Sequence, residues 1–225
     1  MKVIAFNGSP RKEWNTAILL KRALEGAASR GAEVELVHLY DLDYKGCTSC
    51  FSCKLKGGKS YGRCAMQDDL TPFLRKIETA DGILLGSPVY LGCATGEMRS
   101  LIERLVFPFF TYTDPPASLF TGKARLGFIY TFGATEEMAT QRGWDRSLPE
   151  SSAFLERLFG PVENLLVYDT LQFDDYSKYV APRFDPVQKV ARRRDVFPQD
   201  CRKAFDLVVR LGSTLQEVDA PRRLK

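Results

Sequence analysis

The chain has 225 residues, of which 44% are hydrophobic and 27% charged, an ordinary globular balance with enough length for one well-buried core. A formal net charge of +4, spread along the chain, argues against a dedicated nucleic-acid binder or a membrane-surface protein. No apolar run approaches the ~20 residues of a membrane span, and the six cysteines point to thiol, metal or cluster chemistry in the cytoplasm.

In chain order, residues 2–6 read as an unbroken apolar strand, the pattern of a strand covered on both faces. The run Asn7-Gly8-Ser9-Pro10-Arg11 turns the chain into an amphipathic helix over 15–30 that opens with Asn15-Thr16 and stops at Gly31. Such a turn leaves helix N–H groups aimed at one spot, where an anion is favoured. Arg11 adds a charge-assisted contact, and Ser9, Asn15 and Thr16 are donors to phosphate oxygens. Neither G-x-G-x-x-G nor G-x-x-x-x-G-K-[ST] occurs in this turn, so a terminal monophosphate is the expected anion.

Val34 to Leu39 form a second strand, followed by a Gly- and Cys-rich loop over 40–66. Asp68-Asp69 open a helix with Leu70, Phe73, Leu74 and Ile77 on one face. Ile83-Leu84-Leu85 make the third strand, which ends in Ser87-Pro88-Val89-Tyr90-Leu91-Gly92, a stiff apolar ledge ahead of a helix near 95–106. The aromatic segment 107–120 is too apolar to lie open to water and is expected at a subunit interface. A fourth strand over 126–131 leads to Phe132-Gly133, then a helix near 147–159 and a fifth strand over 162–168. From Asp169 the pattern is irregular until a helical repeat over 199–217, and the basic clusters 192–194 and 222–223 are expected on solvated surface.

Strands of about six residues alternating with helices predict right-handed crossovers in a doubly wound α/β fold: a five-stranded parallel sheet of order 2-1-3-4-5 over 1–170, with a C-terminal extension, 171–225, on the core or on a neighbouring subunit. In such a sheet, ligands sit at the carboxyl ends of the strands where strand order reverses. The loops after the first, third and fourth strands meet there. His38, the single histidine, falls in the second strand, away from those loops, and reads as structural.

The run GSPR-x3-NT after the first strand, with GSPVYLGCATGEMRSLIERL after the third, resembles the flavodoxin-like NAD(P)H-dependent FMN reductases and the related iron-sulfur flavoproteins. The resemblance covers about residues 1–170 and implies FMN, with NAD(P)H as donor. By position it assigns the phosphate to Ser9, Arg11, Asn15 and Thr16, and the isoalloxazine to Pro88, Val89, Tyr90 and Gly92, with Thr131 and Gly133 on the far side. It implies no catalytic side chain, because hydride chemistry belongs to the cofactor.

Cys47-x2-Cys50-x2-Cys53 followed by Cys64 supplies the thiolates of an iron-sulfur cluster or a structural zinc. In iron-sulfur flavoproteins the fourth cysteine follows after a shorter gap than the ten residues between Cys53 and Cys64 here, so a [4Fe-4S] cluster and unligated thiols both stand as readings. Closing the longer loop costs only about half a kcal/mol per doubling of length. The resemblance thus implies a homodimeric or homotetrameric oxidoreductase that passes electrons to a small acceptor, a flavin or quinone, or through a cluster to a ferredoxin-like protein.

Overall fold

A computed structural model describes residues 1–213. Five parallel strands, β1 (Lys2–Asn7), β2 (Glu33–His38), β3 (Gly82–Tyr90), β5 (Arg125–Thr131) and β6 (Val162–Val167), lie in the order β2-β1-β3-β5-β6. The two-residue β4 (Cys93–Ala94) folds back antiparallel on β3. Without it the order is the expected 2-1-3-4-5.

Alternate residues of each strand feed two cores. Ile4, Phe6, Ile83, Leu85, Phe128 and Tyr130 face one side, under α2 (Thr71–Ile77), α3 (Gly96–Val106) and α6 (Ala153–Phe159). Val3, Ala5, Leu84, Ile129 and Val167 face the other, under α1 (Asn15–Ala28) and α8 (Phe197–Ser213). The helix pair α1 and α8 packs closely: a Cβ on Gly26 would stand 2.4 Å from the carbonyl oxygen of Phe205, so only glycine permits this approach. The late helix is therefore part of the core, through Phe197, Ala204, Leu207, Val208 and Leu211.

Several elements differ from expectation for identifiable reasons. The third strand runs on through Ser87, Pro88 and Tyr90, because Gly86, Ser87 and Pro88 keep their register with Ile129, Tyr130 and Thr131. The ledge is thus a strand end and hairpin. The single helix expected over 147–159 is two, α5 (Trp144–Ser151) and α6, and a further short helix, α4 (Glu136–Gln141), precedes them. Left-handed Gly143 separates α4 from α5, and Pro149 inside α5 supplies no N–H to the ladder. An additional helix, α7 (Pro186–Asp195), fills the stretch read as irregular. Its start is a standard one, with Asp185 accepting from the N–H groups of Val187 and Gln188 and Pro186 in the first turn.

The basic cluster 192–194 is also corrected. Arg194 pairs with Asp195 at the surface, but Arg192 pairs with Asp200, whose side chain is buried, and Arg193 stacks on Phe197. The cluster 222–223 lies outside the described residues.

Candidate cofactor site and cysteine loop

The carboxyl end of β1 is wired by hydrogen bonds. Fully buried Asn7 accepts from the Ser9 N–H at 3.1 Å and donates from Nδ2 to His38 Nδ1 at 3.0 Å. Gly8 is tied into the sheet through the Gly86 carbonyl at 2.8 Å, and its own carbonyl accepts from Thr95 Oγ1 at 2.7 Å. His38 therefore touches the first loop, contrary to its expected distance from it, because β1 and β2 end in register at Asn7 and His38. Burial pulls its pKa below the ordinary value, and the bond from Asn7 requires an unprotonated Nδ1.

Of the four expected phosphate residues, Ser9, Asn15 and Thr16 are buried around the N-terminus of α1, and Arg11 stands exposed above them. That helix end has no side-chain cap and no acidic residue in its first turn. An uncapped helix start ringed by hydroxyl, amide and guanidinium donors suits an anion, so the residues present fit a phosphate. The donors are partly committed. Asn15 Nδ2 donates to the Leu171 carbonyl at 2.8 Å, Trp14 Nε1 to the same carbonyl at 3.0 Å, and Arg11 to the Gln172 carbonyl at 2.6 Å. Thr16 and Thr131 share a hydroxyl bond at 2.8 Å, so Thr131 faces the helix start.

The second group occupies the β3–β4 hairpin, where Tyr90 pairs with Cys93 and the turn residues Leu91 and Gly92 both have positive φ, 53° and 82°. Tyr90 and Leu91 are exposed, whereas the Ser87 hydroxyl is buried and accepts from the Thr95 N–H at 3.0 Å. Thr95 caps α3 and bonds Gly8, which joins the hairpin to the first loop. The third loop is held from the C-terminal side: Lys189, 4% exposed, donates to the Gly133 carbonyl at 2.7 Å and pairs with Asp169. A flat ring system fits an apolar ledge with aromatic and backbone edges.

The cysteine loop is attached differently. Buried Arg104 of α3 makes two bonds to Asp68, donates to the Lys45 carbonyl at 2.9 Å and lies 3.0 Å from Cys64 Sγ. Burial works against the charge on both members of the Arg104–Asp68 pair, yet their mutual bonds win, lowering the pKa of Asp68 and raising that of Arg104. Lys54 donates to the Phe107, Pro108 and Phe110 carbonyls at the end of α3. Ser49 and Phe51 carry positive φ between the cysteines, a conformation costly for residues with a side chain.

Cys47, Cys50, Cys53 and Cys64 line one cavity of about 20 Å³ with Phe107 and Arg104. That is room for about one water. Among the described residues no group of three or more His, Cys, Asp or Glu is arranged to hold a metal ion. The donor set, four thiols on one cavity, fits a thiolate-bound metal group in chemistry, and seating one requires the loop to open. The thiols differ: the Ser52 N–H lowers the pKa of Cys50, while burial raises that of Cys53. Cys93 is exposed on the hairpin, and Cys201 is half-buried on α8.

Trp14, Arg104, Lys189, Arg193 and the Leu171–Gln172 carbonyls went unseen in the sequence. Only the Asp185-Pro186 helix start signalled the element that carries Lys189 and Arg193.

Comparison with known proteins gives the chain a family and a fold. The family model described as NADPH-dependent FMN reductase matches residues 1–149. An iron-sulfur flavoprotein of Methanocaldococcus jannaschii is 41% identical over 104 residues, 46% of this chain and 51% of that protein. One from Archaeoglobus fulgidus is 41% identical over 104 residues, 46% of this chain and 48% of its own length. The match thus spans about half the length of these relatives. In fold, the chain is similar to an NAD(P)H:quinone oxidoreductase from Methanothermobacter marburgensis (TM-score 0.66, 16% identity, 92% of this chain and 98% of that one). It is also similar to an azoreductase from Bacillus anthracis (TM-score 0.64, 15% identity, 92% and 98%).

Proposed function

The chain belongs to the NADPH-dependent FMN reductase family, and from that premise we propose that it is an FMN-dependent oxidoreductase taking electrons from NAD(P)H and passing them to a small acceptor such as a flavin or quinone. The observation that carries this reading is the uncapped start of α1, with Ser9, Asn15 and Thr16 buried around it and Arg11 above. In this reading those four residues hold the FMN phosphate. Pro88, Val89, Tyr90 and Gly92 support one side of the isoalloxazine, and the Thr131–Gly133 segment supplies a backbone edge on the other. Bound FMN would supply the hydride-accepting chemistry, and the protein binds, orients and shields it. Tyr90 and Leu91, exposed on the hairpin, together with exposed Tyr112 and Phe154, support a homodimer or homotetramer whose interface helps wall the site. Six free cysteines support a reducing, cytoplasmic setting, and among the described residues no helix is long and apolar enough to cross a membrane. Residues 1–170 would form the FMN-binding unit and 171–225 its extension.

A second reading is favoured by the convergence of Cys47, Cys50, Cys53 and Cys64 on one cavity. Relatives at 41% identity are named iron-sulfur flavoproteins. Here the loop would hold a [4Fe-4S] cluster, and the acceptor would be a ferredoxin-like protein. One experiment separates the two readings: a visible spectrum with iron and sulfide analysis of protein purified without oxygen and titrated with NADPH. Flavin bands that NADPH bleaches, with turnover unchanged in Cys47→Ser, are expected for the reductase. Stoichiometric iron and sulfide, lost in Cys47→Ser, would establish the carrier. Protein that neither contains nor binds FMN would overturn both.

A further inference from the structure

The start of α1 holds more positive charge than its own loop supplies. Arg193, half-buried on α7, places its guanidinium over the Phe197 ring at 3.9 Å and donates from Nη1 to Asn15 Oδ1 at 2.9 Å. Among the described residues it pairs with no carboxylate, and burial lowers its pKa. Its neighbour Arg192 has one nitrogen, Nη1, buried without a hydrogen bond, although its other end pairs with Asp200. A half-buried cation without a counter-ion, bonded to the first residue of a helix whose own N-terminus is positive, is electrostatically unfavourable in isolation. An anion at that helix start removes the imbalance.

The hydrogen-bond inventory of Asn15 shows how Arg193 acts. A side-chain amide has one oxygen and two N–H groups. Arg193 occupies the oxygen, and the Leu171 carbonyl takes one N–H. The remaining donor is an N–H. Turned over, the amide would lose both bonds and offer the anion an acceptor, which repels it, so Arg193 on the oxygen and Leu171 on the N–H together hold the donating orientation.

Resting on the reading of this helix start as the phosphate site, we propose that Arg193 is a positioning residue for FMN: it fixes the Asn15 amide in its donating orientation and adds charge behind it. The C-terminal extension would then be part of the cofactor site, selecting a phosphorylated flavin over its dephosphorylated form.

The test compares the affinities of the full chain, freed of flavin, for FMN and for riboflavin, which lacks the phosphate. Arg193→Ala should weaken FMN binding on the order of tenfold, the worth of one positioned hydrogen bond to a charged group, and leave riboflavin binding unchanged. Arg193→Lys should restore part of the difference. Equal loss for both ligands would mean a merely structural role and overturn the proposal, as would no change for either. Arg193→Lys serves the same comparison if the alanine variant fails to fold. Arg11→Ala, measured alongside, tests the underlying reading. It should weaken FMN binding by more than tenfold with riboflavin unaffected, and if neither arginine matters to the FMN preference, the phosphate assignment falls and this proposal with it.

Discussion

The β1–α1 loop and the cysteine loop both sit beside α3, yet they are built from different forces. The first is a lattice of neutral hydrogen bonds among Asn7, Ser9, Thr95 and backbone groups, seated on the sheet edge. The second hangs from two charged anchors, the Arg104–Asp68 pair and the Lys54 contact with three carbonyls. Neutral bonds at the strand ends fix residues 7–9 without desolvating charge, and charge enters only with Arg11 and Arg193 at the helix start. A buried ion pair holds a loop only while both partners remain. The difference sets a first loop built into the strand ends beside a loop secured by two charged contacts.

The sharpest way to break this contrast is Asp68→Ala. The Arg104 side chain is fully buried and would lose its counter-ion, so unfolding free energy should fall by about 3–5 kcal/mol. Urea denaturation measures that loss, and limited proteolysis should cut faster within 55–63, while FMN affinity stays within twofold. A parallel loss of FMN affinity would mean that the two regions are one unit. Next is Gly92→Ala at the hairpin. A Cβ there would stand 2.7 Å from Trp144 Nε1, at a φ of 82°. The expected cost is about 1–2 kcal/mol in the same denaturation assay, with proteolysis of the cysteine loop unaltered.

The smallest effect is in pH. Since His38 has a lowered pKa in the folded protein, the unfolded chain takes up its proton first as pH falls below about 6.5, and stability declines there. His38→Gln should flatten the decline between pH 7 and 5.5. The Asp68 carboxylate runs in the acid range: its pKa is lowered from 3.8, so its contribution is complete above that value and disappears as pH drops through the folded one. A melting-temperature profile that falls only below pH 4 would place His38 outside the cradle's wiring.

How much of this was legible beforehand follows the range of the forces. The parallel strands announced themselves as apolar runs, and the order of the sheet followed from the alternation with helices. Ser9, Asn15 and Thr16 were legible because turn and helix-start chemistry is local. Arg104 was not: nothing in Ile102-Glu103-Arg104-Leu105 separates a fully buried arginine from a solvated one until the loop folds over it. Arg193 was assigned to solvated surface for the same reason, since its partner Asn15 is 178 positions away in sequence. The ledge was misread as a loop because Ser87-Pro88 has turn composition, and pairing with Tyr130 and Thr131 overrode it.

The contact between the extension and the first loop runs largely through the main chain. Arg11, Trp14 and Asn15 all donate to carbonyl oxygens of Leu171 and Gln172, groups that every amino acid carries. Evolution is therefore free to rewrite the letters at 171 and 172 while the join persists, and only a change of chain path or length there would undo it. An alignment would score the segment as unremarkable, although it holds Arg11, Trp14 and Asn15 in place.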